Sequence, residues 1–100
     1  MIYSVSVTFF DVKDFRSRKS EISELLDEMG FGKSITTDDG RDIKIPFNMY
    51  YGRFEGEGQT KIRNDLTDEL KSGLKRLGIS ARFMISVFRP ESWAIQSVLA

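Results

Sequence analysis

Two segments with an alternating pattern predict β-strands at the beginning and near the end of the chain. Between Ile2 and Phe10, positions 3, 5, 7 and 9 are apolar while positions 4, 6 and 8 are polar. Between Arg82 and Phe88, positions 83, 85 and 87 are apolar, and Pro90 then prevents further ladder pairing. A period of two indicates one buried face. We therefore expect the other face of each strand to be wet or covered by a partner.

Two longer segments have the apolar spacing of helices with one core face. The first covers residues 15–29 and meets Gly30, a common left-handed helix end. The second covers residues 62–77 and ends at Gly78. Gly73 lies inside the second apolar stripe, where we expect it to let this helix approach the sheet closely, despite its low helix propensity.

The middle of the chain predicts extended structure. A second strand is expected within Lys33–Ile45, around the turn signal at residues 38–40, and a third strand at Asn48–Glu55. Pro46 is expected at an edge or a bend because it cannot donate to a ladder.

The order β-α-β-β-α-β predicts an α+β fold of the ferredoxin-like type. We expect a four-stranded antiparallel sheet with two helices on one face, plus a short C-terminal element. Residues 1–90 would form this ferredoxin-like domain and residues 91–100 an apolar C-terminal tail. The tail carries too much apolar surface to stay exposed, so we expect a homodimer in which it reaches a second subunit, with packing on its own subunit as the alternative. The interface residues would be Trp93, Ile95, Val98 and Leu99.

The amino-acid composition excludes several classes of catalytic and metal site. The chain has 100 residues, a formal net charge of +0 and neither histidine nor cysteine. Histidine bases, thiol nucleophiles and ordinary zinc sites are therefore excluded, and a metal could bind only through oxygen ligands. We expect no cofactor, no metal site and no association with a membrane, and a soluble protein in the cytoplasm.

The charges of the first helix run against its dipole. Its amino-terminal half is basic and its carboxy-terminal half acidic, whereas helices favour the reverse. Basic side chains beside the amides of a helix start suit an anion, so the prediction is contact with phosphates of RNA or DNA. The alternative is a solvated helix with ion pairs such as Arg18–Glu21 and Lys19–Glu24. The candidate nucleic-acid-binding residues are Lys13, Arg16, Arg18 and Lys19.

Asp11 is the candidate catalytic residue because it ends the first strand. A carboxylate there could hold a divalent cation or activate water for phosphodiester cleavage. The alternative, which we favour, is that Asp11 or Asp14 caps the first helix.

The third strand is aromatic. Its exposed rings could stack on unpaired bases, although alternation sends about half of its side chains to the core. Core packing or a dimer surface is the favoured interpretation. The residues concerned are Tyr50, Tyr51, Arg53 and Phe54.

Residues 3 to 88 resemble the GhoS-type antitoxin endoribonucleases and related small CRISPR adaptation nucleases. The resemblance lies in a first strand ending in Phe10-Asp11 and a basic helix closing on residues 27–31. It continues with Asp39-Gly40, then Ile45-Pro46 and an asparagine at the start of the third strand.

This resemblance implies a ferredoxin-like fold, RNA cleavage or its loss, and dimerisation through the sheets. Asp11 stands where the CRISPR relatives have a strand-end aspartate, and Arg16 and Arg18 lie in the basic region of the antitoxin type. The chain departs from these families in its aromatic third strand, longer second helix and apolar tail. We predict a small RNA-binding or RNA-cleaving regulatory protein; the alternative is a non-catalytic protein-interaction module, such as a phage or mobile-element accessory or inhibitor protein.

Overall fold

The computed structural model describes residues 1–36 and 40–89. The elements of this part of the chain are β1 Ile2–Val12, α1 Phe15–Met29, β2 Ser34–Thr36, β3 Asp42–Lys44, β4 Met49–Glu55, α2 Gln59–Leu77 and β5 Ala81–Phe88. The alternating and helical segments predicted from the sequence are confirmed. The single second strand is wrong, because two short strands stand in its place.

The main sheet is antiparallel with the strand order β4-β1-β5. β2 and β3 form a separate two-stranded sheet in which Ile35 pairs with Ile43. Beside β4 there is only a bridge from Gly32 to Tyr51. Among the described residues the main sheet therefore has three strands where four were expected. The physical reason is that β2 is only three residues long and pairs with β3, whereas the backbone hydrogen bonds to the free edge of β4 are made by Gly32, which precedes β2.

Both helices cover the same face of the main sheet. The odd positions of β1, from Tyr3 to Phe9, are buried with the apolar stripes of α1 and α2 in one cluster. Side chains alternate along a strand, so the even positions of β1 point to the opposite side. We call that side the open face: it carries residues 4, 6, 8 and 10 of β1 and the residues that pair with them in β4 and β5.

Gly73 is needed for helix–helix contact. A Cβ atom at this position would lie 2.6 Å from a Cδ atom of Leu25, a residue of α1. The expectation that Gly73 lets α2 approach the sheet is therefore corrected, since the close neighbour is the other helix. Gly30 and Gly78, in contrast, end the two helices in the left-handed conformation as predicted.

The turn from β1 to α1 contains two aspartates in the left-handed region. Asp11 has φ 62° and Asp14 has φ 57°. Asp14 is the N-cap residue, yet its side chain forms no capping hydrogen bond within the described structure. The predicted capping role is thus wrong. A capping side chain requires an extended N-cap backbone, and here the carbonyl of Asp14 accepts from the N–H of Arg18 instead.

Some expectations concern parts of the chain that are not described. The interface residues Trp93, Ile95, Val98 and Leu99, the tail at 91–100 and the aspartates of the 38–40 turn lie outside the described residues. In the described part, neither helix has the length and apolar character required to cross a membrane.

Candidate nucleic-acid interface

The loop between β3 and β4 presents an exposed phenylalanine. Phe47 is 65% exposed. The loop around it is nevertheless well fixed: the N–H of Met49 donates to the carbonyl of Pro46 at 2.9 Å, and Asn48 bonds the end of β1. There the N–H of Phe9 donates to the Asn48 carbonyl at 2.8 Å, and the Asn48 amide donates back to the Phe9 carbonyl at 3.1 Å.

The side chain of Lys33 holds this loop through hydrogen bonds. Its Nζ donates to the carbonyls of Pro46 at 2.9 Å and Phe47 at 3.0 Å, and also to that of Met49. The same Nζ lies 4.2 Å from the centre of the Tyr50 ring. Burial, and after it the charge of Lys19, lowers the pKa of Lys33, whereas the three carbonyls and the ring face favour the ammonium. The ammonium group of Lys33 is therefore engaged in contacts within the protein.

The Phe47 ring packs against the amino-terminal half of α1. It lies edge-on to Phe15, with 5.8 Å between ring centroids. Nζ of Lys19 lies 5.9 Å from the Phe47 ring centroid, within cation–π range. The predicted Lys19–Glu24 pair is therefore replaced by an aromatic contact.

Arg16 belongs to the same side of α1. It is exposed and precedes Lys19 by three positions, and residues three apart are neighbours on a helix surface. We define the Phe47 patch as Phe47, Phe15, Lys19 and Arg16. It combines an exposed, anchored ring with two cations near a helix start.

Lys13 lies in the turn before α1. It is exposed, and its backbone N–H donates to the Ser80 carbonyl at 3.3 Å. No contact among the described residues joins its side chain to the Phe47 patch.

Arg18 faces the other way, towards α2. Its guanidinium binds both carboxylate oxygens of Glu21, at 2.8 and 3.0 Å, and also donates to the carbonyl of Leu77. The hydrogen-bonded pair raises the pKa of Arg18 and lowers that of Glu21. The predicted Arg18–Glu21 pair is confirmed. Because this guanidinium ties α1 to the carboxy-terminal end of α2, we leave it out of the patch.

Asp11 sits in a β-bulge at the end of β1, where the register against β5 shifts between Phe10 and Val12. Its Oδ2 lies 3.8 Å from Nε of Arg82, and both side chains are largely exposed, so this is a weak surface pair. Within residues 1–36 and 40–89, no group of three or more potential metal ligands is assembled.

The aromatic side chains of β4 make packing contacts and hydrogen bonds within the protein. Tyr50 is 1% exposed and its hydroxyl hydrogen-bonds Ser23 of α1 at 2.7 Å. Tyr51 is 8% exposed and its hydroxyl lies 2.8 Å from that of Ser4. Phe54 packs on Phe31. Core packing, the favoured interpretation of these rings, is confirmed for Tyr50 and Phe54, and Tyr51 is buried on the open face.

Sequence reasoning missed Phe47 and Lys33. The one available signal was an aromatic residue between Pro46 and Asn48, two residues typical of turns; nothing near Lys33 indicated three carbonyl partners. The resemblance to antitoxin and CRISPR nucleases stays a prediction. No protein-family model matches the chain, and no curated protein matches it.

Proposed function

We propose that this protein binds single-stranded RNA through the Phe47 patch. One observation carries the proposal: a phenylalanine ring that is 65% exposed is nevertheless anchored by Phe15 and by the Lys19 ammonium. An exposed ring that is already fixed can stack on an unpaired base without first being ordered, which favours binding.

The cations of the patch supply the second half of the chemistry. Lys19 and Arg16 lie beside the positive end of the α1 dipole, and the first turn of α1 contains no acidic residue. A phosphate placed there would meet two positive side chains and the helix start, beside the exposed carboxylate of the N-cap residue Asp14. The charge order that is unfavourable for the isolated helix becomes favourable when an anion is bound.

The patch suits a short unpaired segment rather than a duplex. The formal net charge is +0, so the protein has no general attraction for phosphate backbones. Stacking contributes about 1–3 kcal/mol per base and requires bases that are splayed out. Binding should therefore be modest, limited to a few nucleotides, and stronger for loops or single strands.

We also propose that the fold is ferredoxin-like, on the basis of the sheet topology. β5, β1 and β4 lie side by side, and the Gly32 bridge places the segment before β2 at the edge of β4. This arrangement supports a ferredoxin-like sandwich in which the fourth strand is reduced to one bridge. It agrees with the resemblance to RNA-directed antitoxins, and we propose a regulatory role of that type.

Cleavage is a separate question, to be tested on Asp11. If Asp11 positions a metal or water, Asp11→Asn should abolish RNA degradation and leave the melting temperature nearly unchanged. Its weak pair with Arg82 predicts little loss of stability. Degradation that continues in Asp11→Asn would exclude this residue as catalytic.

The binding proposal is tested by fluorescence anisotropy with labelled oligouridine at low salt. Phe47→Ala should raise Kd about 5- to 150-fold, the equivalent of one stacked base. Lys19→Gln should also raise Kd. Phe10→Ala is the matched control, because Phe10 is 46% exposed but lies on the open face. Lys61→Gln on α2 is the control for charge.

Equal effects of Phe47→Ala and Phe10→Ala would contradict the location of the site. No binding by the native protein, to RNA or to single-stranded DNA, would overturn the proposal. It would then favour the alternative class, a protein-interaction module of a phage or mobile element.

A further inference from the structure

β5 forms one edge of the main sheet, and no strand of the described residues pairs with its outer side. The direction of its backbone groups follows from β1. The N–H of Phe9 donates to the Asn48 carbonyl, on the β4 side, and alternate residues of an antiparallel strand bond opposite neighbours. The even positions of β1 therefore bond the even positions of β5 that pair with them. The odd positions of β5 direct their N–H and C=O groups outward.

A hydrogen bond near the end of β5 supports this direction. The side-chain amide of Gln59, at the start of α2, donates to the carbonyl of Val87 at 3.3 Å. Val87 is an odd position, and its carbonyl is reached by a group from outside the sheet. At the odd positions Phe83 and Ile85, no backbone hydrogen bond from outside the sheet is found within residues 1–36 and 40–89. Their outward groups are therefore available to an added strand.

The two edges of the main sheet differ in how they are protected. Edge strands are usually protected by proline, a bulge, charged residues or a covering segment. The β4 edge is covered by Gly32, which exchanges two hydrogen bonds with Tyr51, at 2.7 and 2.9 Å. In β5 the pairing with β1 is regular from Arg82 to Phe88, and this stretch contains no proline and one charged residue. The β5 edge thus has the features of a site for strand addition.

A groove of about 640 Å³ lies beside this edge and is lined by β5 and the carboxy-terminal half of α2. Its floor is apolar, since Leu74 is buried and Phe83 is half-buried. Its rim on α2 carries Lys71 and Lys75, and Asp68 is the one acid among the described residues of the lining. Both lysines are exposed, and neither belongs to a salt bridge in the described part of the chain. Like charges four positions apart on a helix repel each other, so an acidic group beside them would be stabilising.

We propose that the β5 edge binds an extended segment of another protein in which acidic and apolar residues alternate. The added strand bonds the outward groups of Phe83 and Ile85, and its side chains alternate between the two sides of the sheet. On the α2 side, acidic residues meet Lys71 and Lys75. On the other side, apolar residues cover Met84, which is 59% exposed on the open face. This site shares no residue with the Phe47 patch, so it does not rest on the RNA-binding proposal.

The test uses a labelled ten-residue peptide that alternates valine with glutamate, and a control peptide that alternates valine with lysine. Fluorescence anisotropy should show binding of the glutamate peptide only. The double variant Lys71→Gln with Lys75→Gln should raise Kd about 2- to 30-fold, the equivalent of two exposed ion pairs. The double variant Lys61→Gln with Arg63→Gln is the matched control, because it removes two exposed cations of α2 outside the groove.

Amide hydrogen exchange tests the edge itself. The N–H groups of Phe83 and Ile85 should exchange rapidly in the free protein and become protected when the glutamate peptide is bound. Those of Met84 and Ser86, which face β1, should be protected in both states.

Preferential binding of the glutamate peptide, with new protection at positions 83 and 85, supports the proposal. No binding, equal binding of the two peptides, equal effects of the two double variants, or binding without that protection would overturn it. Protection at positions 83 and 85 in the free protein would also overturn it, because the edge would then be covered by the chain itself or by a second copy, which light scattering distinguishes.

Discussion

Lys33 is the residue on which the position of Phe47 depends most directly. Its ammonium group donates hydrogen bonds to the carbonyls of Pro46, Phe47 and Met49. These bonds take the place of the strand-to-strand hydrogen bonds that the loop lacks. Lys33 is half-buried, which limits the competition of water for these carbonyls.

Lys33→Met should destabilise the fold by about 1–2 kcal/mol, at or below the usual range for bonds to charged groups because the ammonium is only partly buried. Methionine keeps the length of the side chain and removes the donors. The variant should also weaken RNA binding, since the loop would no longer hold Phe47. Urea unfolding and anisotropy measure the two effects. Lys44→Met, an exposed lysine of β3, is the control. Unchanged stability and binding in Lys33→Met would contradict this role.

At the scale of elements, α1 and α2 are joined by the Arg18 guanidinium and by the close contact at Gly73. Glu21 holds that guanidinium in place, and the pair lowers the pKa of Glu21 from its usual value of 4.5. A lowered folded-state pKa means that the contribution to stability is complete above 4.5 and is lost as the pH falls through the folded-state pKa.

The free energy of unfolding should therefore decrease as the pH falls below 4.5, and Glu21→Gln should reduce this decrease. Above that pH, Glu21→Gln should itself be less stable than the native protein. Urea unfolding at several pH values measures this, with Glu24→Gln, an exposed acid of the same helix, as the control. An identical pH profile for Glu21→Gln and the native protein would show that the pair contributes nothing.

Gly73→Ala should destabilise the protein although alanine is the better helix former. The gain in propensity is about 1 kcal/mol, whereas forcing a methyl group against buried Leu25 typically costs about 1–3 kcal/mol. Ser72→Ala, its exposed neighbour, is the control for a smaller gain in propensity without a clash.

The double variant Gly73→Ala with Leu25→Val should be less destabilised than the sum of the two single variants, because valine withdraws the atoms that clash. Additive effects, or a stabilised Gly73→Ala, would mean that the two helices are not packed as closely as described.

The elements differ in how far sequence could predict them. β1, β5 and the two helices were predictable because each repeats a simple period over several residues. The region from Gly32 to Lys44 was not, because its two strands are short and its pairing depends on which groups β4 leaves available. The left-handed conformation of Asp14 also could not be read from residue type, so a residue that favours capping was expected to cap.

At the scale of the whole molecule, the chain is neutral and its cations act locally. The candidate site was half predictable for this reason: the reversed charges of α1 pointed to Arg16 and Lys19. Sequence could not separate Arg18 from them, since only the packing of α2 shows that its guanidinium is occupied. Phe47 was not predictable, because its anchoring depends on contacts with Phe15 and Lys33 from other elements.

The salt dependence of Kd should distinguish the cations that contact phosphate from the one that does not. Each phosphate contact in single-stranded nucleic acid contributes about 0.7 to the slope of log Kd against log salt concentration. Arg16→Gln and Lys19→Gln should each lower the slope by about that amount, and Arg18→Gln should leave it unchanged. Phe47→Ala should weaken binding with the same slope, because stacking releases no counterions. A lower slope for Arg18→Gln would contradict the assignment of its guanidinium to the contact between α1 and α2.

The most direct test of the central claim is an NMR titration of the ¹⁵N-labelled protein with a short oligouridine. The account predicts that backbone amide shifts change mainly at residues 15–19 and 46–48, and that Phe47→Ala removes most of these changes. Shift changes confined to the open face or to α2, with residues 15–19 and 46–48 unaffected, would contradict it.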